Sequence, residues 1–291
     1  MRCSSLIRCL YRKSGQVVLV GAAMLAVMLL ATPVRADILI SPIRVHLDDD
    51  NKTASVILRN PSKGPRTYRL EWIEQRMSED GIYKQYKEGE VVQHSVASPY
   101  LRLSPRQVTV PANGNQSVRI QYRPSADMKP GEYRSHLFFR VMPELSEPFS
   151  VTEMSGGEGI TLKLNMQLSM SIPVVVKHQV SELPEVKIIA VDPVPATAPG
   201  QSAQLAVTLQ RSGMAGSFGK VVVEMQAGPD APVELIGMAG NVSVYADAAQ
   251  RRLVLNLRDQ QIPVGAWLRV AYEGMEEYKG HIWDEKVFQN R

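Results

Sequence analysis

The stretch TYRLEWIEQ, residues 67–75, alternates bulky apolar side chains with polar ones, because Tyr68, Leu70 and Trp72 share one face and charged residues separate them. A period of two over this length is typical of a β-strand with one buried face. A tryptophan on the third strand of the chain is typical of immunoglobulin-like sandwiches, which bury this residue between their sheets. The stretch therefore favours an immunoglobulin-like fold.

A later segment agrees with this interpretation. The sequence PGEY, residues 130–133, has turn residues followed by Tyr133 just inside a strand-like run. Sandwiches of this class carry a tyrosine at that point, the tyrosine corner, whose hydroxyl binds the backbone a few residues upstream. The two signals also occur in the expected order along the chain.

Short alternating segments and turn residues continue over the rest of the chain, which predicts an all-β protein. We predict two immunoglobulin-like β-sandwich domains, residues 37–180 and 181–291, joined near a linker at 181–184. No strand is assigned to residues 276–291. The predicted strands are 38–47, 53–59, 67–75, 117–123, 132–142, 160–176, 186–191, 203–210, 220–226, 241–245, 253–257 and 266–272.

Residues 1–36 have the composition of a cleavable secretory signal. Basic residues come first, an apolar run of 15 residues follows at 17–31, and Val34-Arg35-Ala36 precedes Asp37. An uncleaved membrane anchor is the alternative, but a spanning helix needs about 20 apolar residues. We therefore expect cleavage after Ala36 and a periplasmic protein.

Charge and cysteine content narrow the function classes. The signal holds five of the 33 basic residues and none of the 29 acidic ones, which leaves 28 basic residues and a net charge of −1 after cleavage. This balance gives no support for binding to nucleic acid. Both cysteines, Cys3 and Cys9, also lie in the signal. We therefore expect no disulfide, no cysteine-based metal site and no cofactor.

The longest regular pattern is ITLKLNMQLSMSIPVVV, residues 160–176. All nine even-numbered positions are apolar, and seven of the eight odd-numbered ones are not. An ordinary half-buried strand explains alternation, but strands usually have five or six residues. Part of a run this long is expected to extend past its own sandwich and to offer an open edge to a partner.

Arg44 is the candidate anchor for a ligand. It lies in the opening segment ILISPIRVHL, where Pro42 removes a backbone donor and so favours a sheet edge. The planar donors of a guanidinium suit a carboxylate. A solvated surface arginine is the alternative interpretation.

Together these segments resemble the PapD-like family of periplasmic pilus chaperones. The resemblance covers the chain after the signal and is strongest over its first 140 residues. SPIRVHLDD at 41–49 resembles the opening strand of the family, and YRLEWIE at 68–74 resembles its tryptophan-bearing strand. PANGNQSVRI at 111–120 and RSHLFFRVMP at 134–143 resemble the segments before the variable loop and the alternating strand.

The resemblance implies a chaperone without enzymatic activity that binds pilus or fimbrial subunits and delivers them to an outer-membrane usher. It implies that Arg44 anchors the C-terminal carboxylate of a subunit. It further implies donor-strand complementation, in which apolar residues of the alternating run fill the groove left by the missing strand of a subunit. These donor residues are Ile160, Leu162, Leu164, Met166 and Leu168.

The chain departs from the family at the second basic anchor. The lysine of the family falls on Ser171, and Val175-Val176 replaces the basic-proline ending of the strand. Lys163 is the candidate substitute, with a solvated lysine as the alternative. Self-association of the free protein is left open.

Two other function classes compete. An enzyme has little support, since the five histidines are scattered and no HExxH, GxSxG or Cys-His pattern occurs. An immunoglobulin-like pilus subunit or adhesin is the stronger rival. A subunit, however, should carry its donor extension directly after the signal, whereas the alternating run is internal here and a second domain follows.

Overall fold

The computed structural model describes residues 38–142, 169–195, 200–258 and 261–290. In these ranges the chain forms strands and two short 3₁₀ turns, at Ser98–Tyr100 and Glu276–Tyr278. No helical segment in these ranges is long and apolar enough to cross a membrane. The strands are β1 (Leu39–Ser41), β2 (Val45–Leu47), β3 (Thr53–Arg59), β4 (Arg66–Ile73), β5 (Gln75–Met77), β6 (Tyr83–Gln85), β7 (Leu101–Ser104), β8 (Gln107–Val110), β9 (Asn115–Tyr122), β10 (Gly131–Val141), β11 (Met170–His178), β12 (Glu185–Val194), β13 (Gln204–Ser212), β14 (Ser217–Gln226), β15 (Val233–Val244), β16 (Gln250–Asn256), β17 (Trp267–Gly274) and β18 (Ile282–Gln289).

The first sandwich consists of a four-stranded sheet, in the order β1-β3-β9-β7, facing a five-stranded sheet, in the order β2-β11-β10-β4-β8. The expectation of one continuous strand over 38–47 is wrong. β1 pairs antiparallel with β3, whereas β2 pairs parallel with β11 in the opposite sheet. The chain crosses between the sheets at Pro42, which has no N–H to donate to a ladder.

The core of this sandwich contains the even-numbered residues of β11, among them Ile172, Val174 and Val176. The alternation in this part of the run is therefore that of a strand with one face on its own core. Trp72 packs against the same core but is only partly buried. The tyrosine corner is confirmed, because the hydroxyl of Tyr133 donates to the backbone oxygen of Lys129 at 2.8 Å.

The second sandwich consists of sheets in the orders β12-β13-β16 and β15-β14-β17-β18. Strand β18 supplies the edge strand that the sequence pattern did not assign. Its Trp283 is 8% exposed and lies among Tyr272 and Tyr278. The predicted all-β class with two immunoglobulin-like sandwiches is confirmed, whereas the domain limits at 180 and 181 stay a prediction.

Candidate functional site

Arg44 lies between β1 and β2, where the chain has just crossed to the second sheet. The next residue, Val45, pairs with Val174 of β11. Arg44 therefore stands at the point where β2 begins to cover the edge of β11. It is only 6% exposed, so the alternative of a solvated surface arginine is wrong.

The guanidinium of Arg44 binds carboxylates of the second sandwich. Its Nη1 and Nη2 donate to the two carboxylate oxygens of Glu277 at 2.9 and 2.8 Å, and Nη1 also lies 3.3 Å from Glu276. The cation stacks on the ring of Phe218, 4.4 Å from its centroid. Two parallel hydrogen bonds of this kind are the strongest pairing that an arginine makes with a carboxylate.

Both glutamates belong to the 3₁₀ turn Glu276–Tyr278, which follows β17. Glu276 has a φ of +51°, in the left-handed region of the backbone map, where a residue with a side chain is uncommon. Tyr278 fixes the turn, because its hydroxyl donates to the backbone oxygen of Gly216 at 2.8 Å and its ring contacts Trp283. The turn therefore holds Glu277 against Arg44.

Lys177 is a second cation of this cluster that the sequence analysis missed. Its Nζ lies 3.9 Å from Glu277, donates to the hydroxyl of Tyr278 and stands 4.1 Å above the centroid of the tyrosine ring. It is the first basic residue after the apolar end of the alternating run, and this position in the sequence could have identified it as a candidate anchor. Ser171, the position of the family lysine, instead donates to the side chain of Gln75 at 3.3 Å.

The contact between Arg44 and Glu277 favours the charged form of both groups. Burial by itself would lower the pKa of Arg44, but the hydrogen bond and charge of Glu277 outweigh it and raise that pKa. Burial opposes ionisation of Glu277 as well, yet the contact with Arg44 keeps its pKa below the usual range. Burial lowers the pKa of Lys177, against the opposing effect of the Glu277 charge. Two cations thus face two carboxylates.

One edge of β11 is open beside Arg44. Along its whole length β11 pairs with β10 on one side. On the other side β2 pairs with it only at Val174, Val175 and Val176. In the described part of the chain no strand covers the preceding residues of that edge, from Met170 to Pro173. The open edge therefore ends at the arginine.

A second charged contact joins the sandwiches elsewhere. Arg134 of β10 is 2% exposed and donates to both carboxylate oxygens of Asp247, at 2.8 and 3.0 Å. Its guanidinium lies 4.0 Å above the ring centroid of Tyr245. This pair matches the Arg44 contact in burial and geometry, but it lies on a strand whose two edges are covered by β4 and β11.

Backbone and hydroxyl contacts reinforce that second contact. Glu132 accepts hydrogen bonds from the N–H groups of Gly216 and Ala246, at 2.7 and 3.1 Å. The hydroxyls of Tyr83, on the β5–β6 hairpin, and Tyr245 lie 2.7 Å apart. The two sandwiches therefore contact each other through two separate charged clusters, around Arg44 and around Arg134.

His136 is a buried histidine near the hairpin. It is 1% exposed, and its ring meets the ring of Tyr83 edge-on at 5.0 Å. Neither ring nitrogen has a hydrogen-bond partner among the described residues. Burial first, and then the charges of Arg134 and His94, lower the pKa of His136 to about 3.

Acidification is expected to destabilise the fold through His136. Below about pH 6.5 the unfolded chain binds a proton at this residue, whereas the folded chain stays neutral until about pH 3. The unfolded state then binds more protons, so the free energy of unfolding falls as the pH is lowered through this window, by about 2 kcal/mol at pH 5. Urea unfolding of the unsubstituted chain and of His136→Phe, followed from pH 7 to pH 4, measures this slope. The variant should show a shallower fall, and parallel curves for the two proteins would contradict the assignment.

Lys163 and the predicted donor residues lie outside the described residues. No group of three or more potential metal ligands occurs in the described ranges. The absence of an enzymatic activity stays a prediction. The predicted donor residues are Ile160, Leu162, Leu164, Met166 and Leu168.

Comparison with known proteins finds no matching family model and no matching curated protein. Among solved structures, the YadV chaperone is 14% identical with a TM-score of 0.42, and the match covers 87% of this chain and 100% of that one. The CupB2 chaperone of Pseudomonas aeruginosa is 12% identical with a TM-score of 0.39, covering 87% and 99%. The Salmonella enterica SafB chaperone in complex with the SafA pilin gives 12%, a TM-score of 0.44, and coverage of 89% and 98%.

These three solved structures are chaperones, and the SafB structure is in complex with a pilin. Likenesses this distant do not establish an activity or a ligand. The functional assignment therefore rests on the residues of this chain.

Proposed function

We propose that this chain is a periplasmic chaperone of pilus or fimbrial biogenesis that captures fibre subunits by donating a strand and delivers them to an outer-membrane usher. The observation that carries the proposal is the open edge of β11, which ends at a buried arginine. Unpaired backbone groups on such an edge are a template for an added strand. The sequence preceding this edge is the alternating apolar run that supplies the proposed donor residues.

The position of Arg44 also predicts the direction of the bound strand. β2 runs parallel to β11 and begins directly after Arg44. A partner strand on the open part of the same edge meets Arg44 at the end nearest Pro173. If that end carries a C-terminal carboxylate, the partner must run in the same direction as β11. The proposed complex is therefore a parallel strand addition.

The subunit or adhesin alternative receives less support from this geometry. A fibre subunit lacks one strand of its sandwich, whereas the described part of the first sandwich here has five strands in one sheet and four in the other. A second sandwich then follows in the same chain. Self-association of the free protein stays part of the proposal, with the same open edge as its site.

Co-expression with a small candidate subunit tests the proposal. We expect a one-to-one complex that is released from the periplasm and survives purification, and a subunit that is degraded or aggregated when expressed alone. Mass spectrometry of the purified complex gives its composition. A subunit that accumulates in folded form without this chain, and never co-purifies with it, would contradict the proposed function.

A further inference from the structure

The carboxylate that fills the Arg44 site belongs to this chain. Both terminal nitrogens of the guanidinium donate to Glu277. The remaining nitrogen, Nε, is buried and has no hydrogen-bond partner among the described residues. Nη1 and Nη2, the guanidinium fork that would bind an incoming carboxylate bidentately, are therefore already occupied by Glu277. A second carboxylate can bind this fork only if Glu277 leaves it.

The charge of the cluster leads to the same conclusion. Arg44 and Lys177 supply two positive charges, and Glu276 and Glu277 supply two negative ones. A third carboxylate added without displacement would make a largely buried cluster net negative. Like charges at these distances and this burial repel strongly, so exchange is favoured over addition.

Glu277 can leave without moving the turn that carries it. Its side chain is 16% exposed, and the adjacent Glu276 is 40% exposed, so solvent reaches this side of the cluster. The turn itself is held independently, through the hydroxyl of the buried Tyr278 on Gly216. Rotation of the Glu277 side chain toward solvent therefore frees Nη2 and leaves Nη1 with only its longer contact to Glu276 at 3.3 Å.

We propose that Glu277 is an internal stand-in for the C-terminal carboxylate of the ligand, so that capture proceeds by exchange of one carboxylate for another on Arg44. The inference rests on the proposed strand-capture function and specifies how its anchor is regulated. Lys177, which contacts the same turn, remains as the counter-ion of the displaced Glu277.

Exchange would make the anchor selective. A small free carboxylic acid must compete for Arg44 with the side chain of Glu277, which is tethered beside it at a high effective concentration. The small acid gains no other contact in return. A carboxylate at the end of a strand also gains the backbone hydrogen bonds of the β11 edge. Only a strand with a C-terminal carboxylate can then displace Glu277. The many small acids of a bacterial envelope therefore do not occupy the Arg44 site.

Peptide binding to the chain beginning at Asp37 tests the exchange. The probes are an acetylated nine-residue peptide of alternating valine and threonine with a free C-terminal carboxylate, and the same peptide ending in a carboxamide. Glu277→Gln keeps the side-chain volume and removes the competing charge. If the fork is free in about a tenth of the unsubstituted molecules, the variant should bind the carboxylate peptide about tenfold more tightly. Its affinity for the carboxamide peptide should stay unchanged.

Glu285→Gln is the control. Glu285 pairs with Arg269 on the exposed face of the same sandwich, so this substitution removes a carboxylate away from Arg44 and should change neither affinity. An equal or weaker affinity of Glu277→Gln for the carboxylate peptide would overturn the exchange, and so would an equal gain for both peptides. If no chain binds either peptide, the strand-capture function fails and the inference fails with it.

A second measurement does not depend on the folding of Glu277→Gln. In the unsubstituted chain with ¹³C-labelled glutamate carboxyl groups, the Glu277 signal should move when the carboxylate peptide binds and stay in place with the carboxamide peptide. Glu277→Asp, which retains the charge on a shorter side chain, identifies the signal. A signal that does not move at saturation would overturn the exchange.

Discussion

Arg44→Ala is expected to abolish subunit capture and to lower the free energy of unfolding by about 3 to 5 kcal/mol. Loss of one partner from a buried ion pair leaves the other charge uncompensated, which is the most costly way to break such a pair. Here the orphaned group is Glu277, and the stacking of the guanidinium on Phe218 is lost as well. Urea unfolding measures the first effect, and recovery of a co-expressed subunit measures the second.

Arg134→Ala separates the two effects. Arg134 is as deeply buried as Arg44, binds Asp247 bidentately and stacks on Tyr245, so its loss should cost a similar amount of stability. It lies away from the open edge, so subunit recovery should persist in cells grown at a temperature where both variants are folded. Loss of capture in both variants to the same degree would mean that Arg44 acts through stability alone.

Local sequence patterns were sufficient to predict much of the first sandwich. The predicted strand at 53–59 has the observed limits of β3, Thr53–Arg59. The hydrogen bond of Tyr133 was predicted from four residues of sequence. Both features depend on alternation and turn residues within a few positions, where the sequence carries the physical cause directly.

Features that depend on short strands or on crossings were missed. β5 and β6 have three residues each, which is too few for a period of two to be recognised. The segment at 38–47 was predicted as one strand, yet it divides between two sheets because each half finds a different partner. Register and sheet membership are set by these distant partners, so the opening segment alone could not reveal the division.

The occupied anchor is the clearest case of a feature hidden from the sequence. Arg44 and Glu277 are 233 positions apart, and nothing near either residue indicates the other. The pair forms because the turn after β17 faces the point at which β2 begins. The chemistry of Arg44, a guanidinium suited to a carboxylate, was predictable, whereas the identity of the carboxylate in the free chain required the packing of two sandwiches.

The alternating run provides the second large expected effect, through Leu164→Asp. Burial of five apolar side chains in the groove of a subunit would contribute about 8 to 15 kcal/mol gross, reduced by the cost of ordering the strand. Leu164 is the central member of this set, and an aspartate there would place an unpaired carboxylate in the groove. We expect the affinity for a subunit to fall by about 1,000-fold or more.

Asn165→Asp is the matched control for this substitution. It introduces the same charge at the next position, which falls on the opposite side of a strand. Subunit recovery should therefore fall sharply for Leu164→Asp and little for Asn165→Asp, while circular dichroism and urea unfolding of both isolated variants match the unsubstituted chain. If Leu164→Asp unfolds the isolated chain, the residue belongs to its own core. If that variant folds and still captures subunits at the unsubstituted level, the donor-strand mechanism is wrong for this protein.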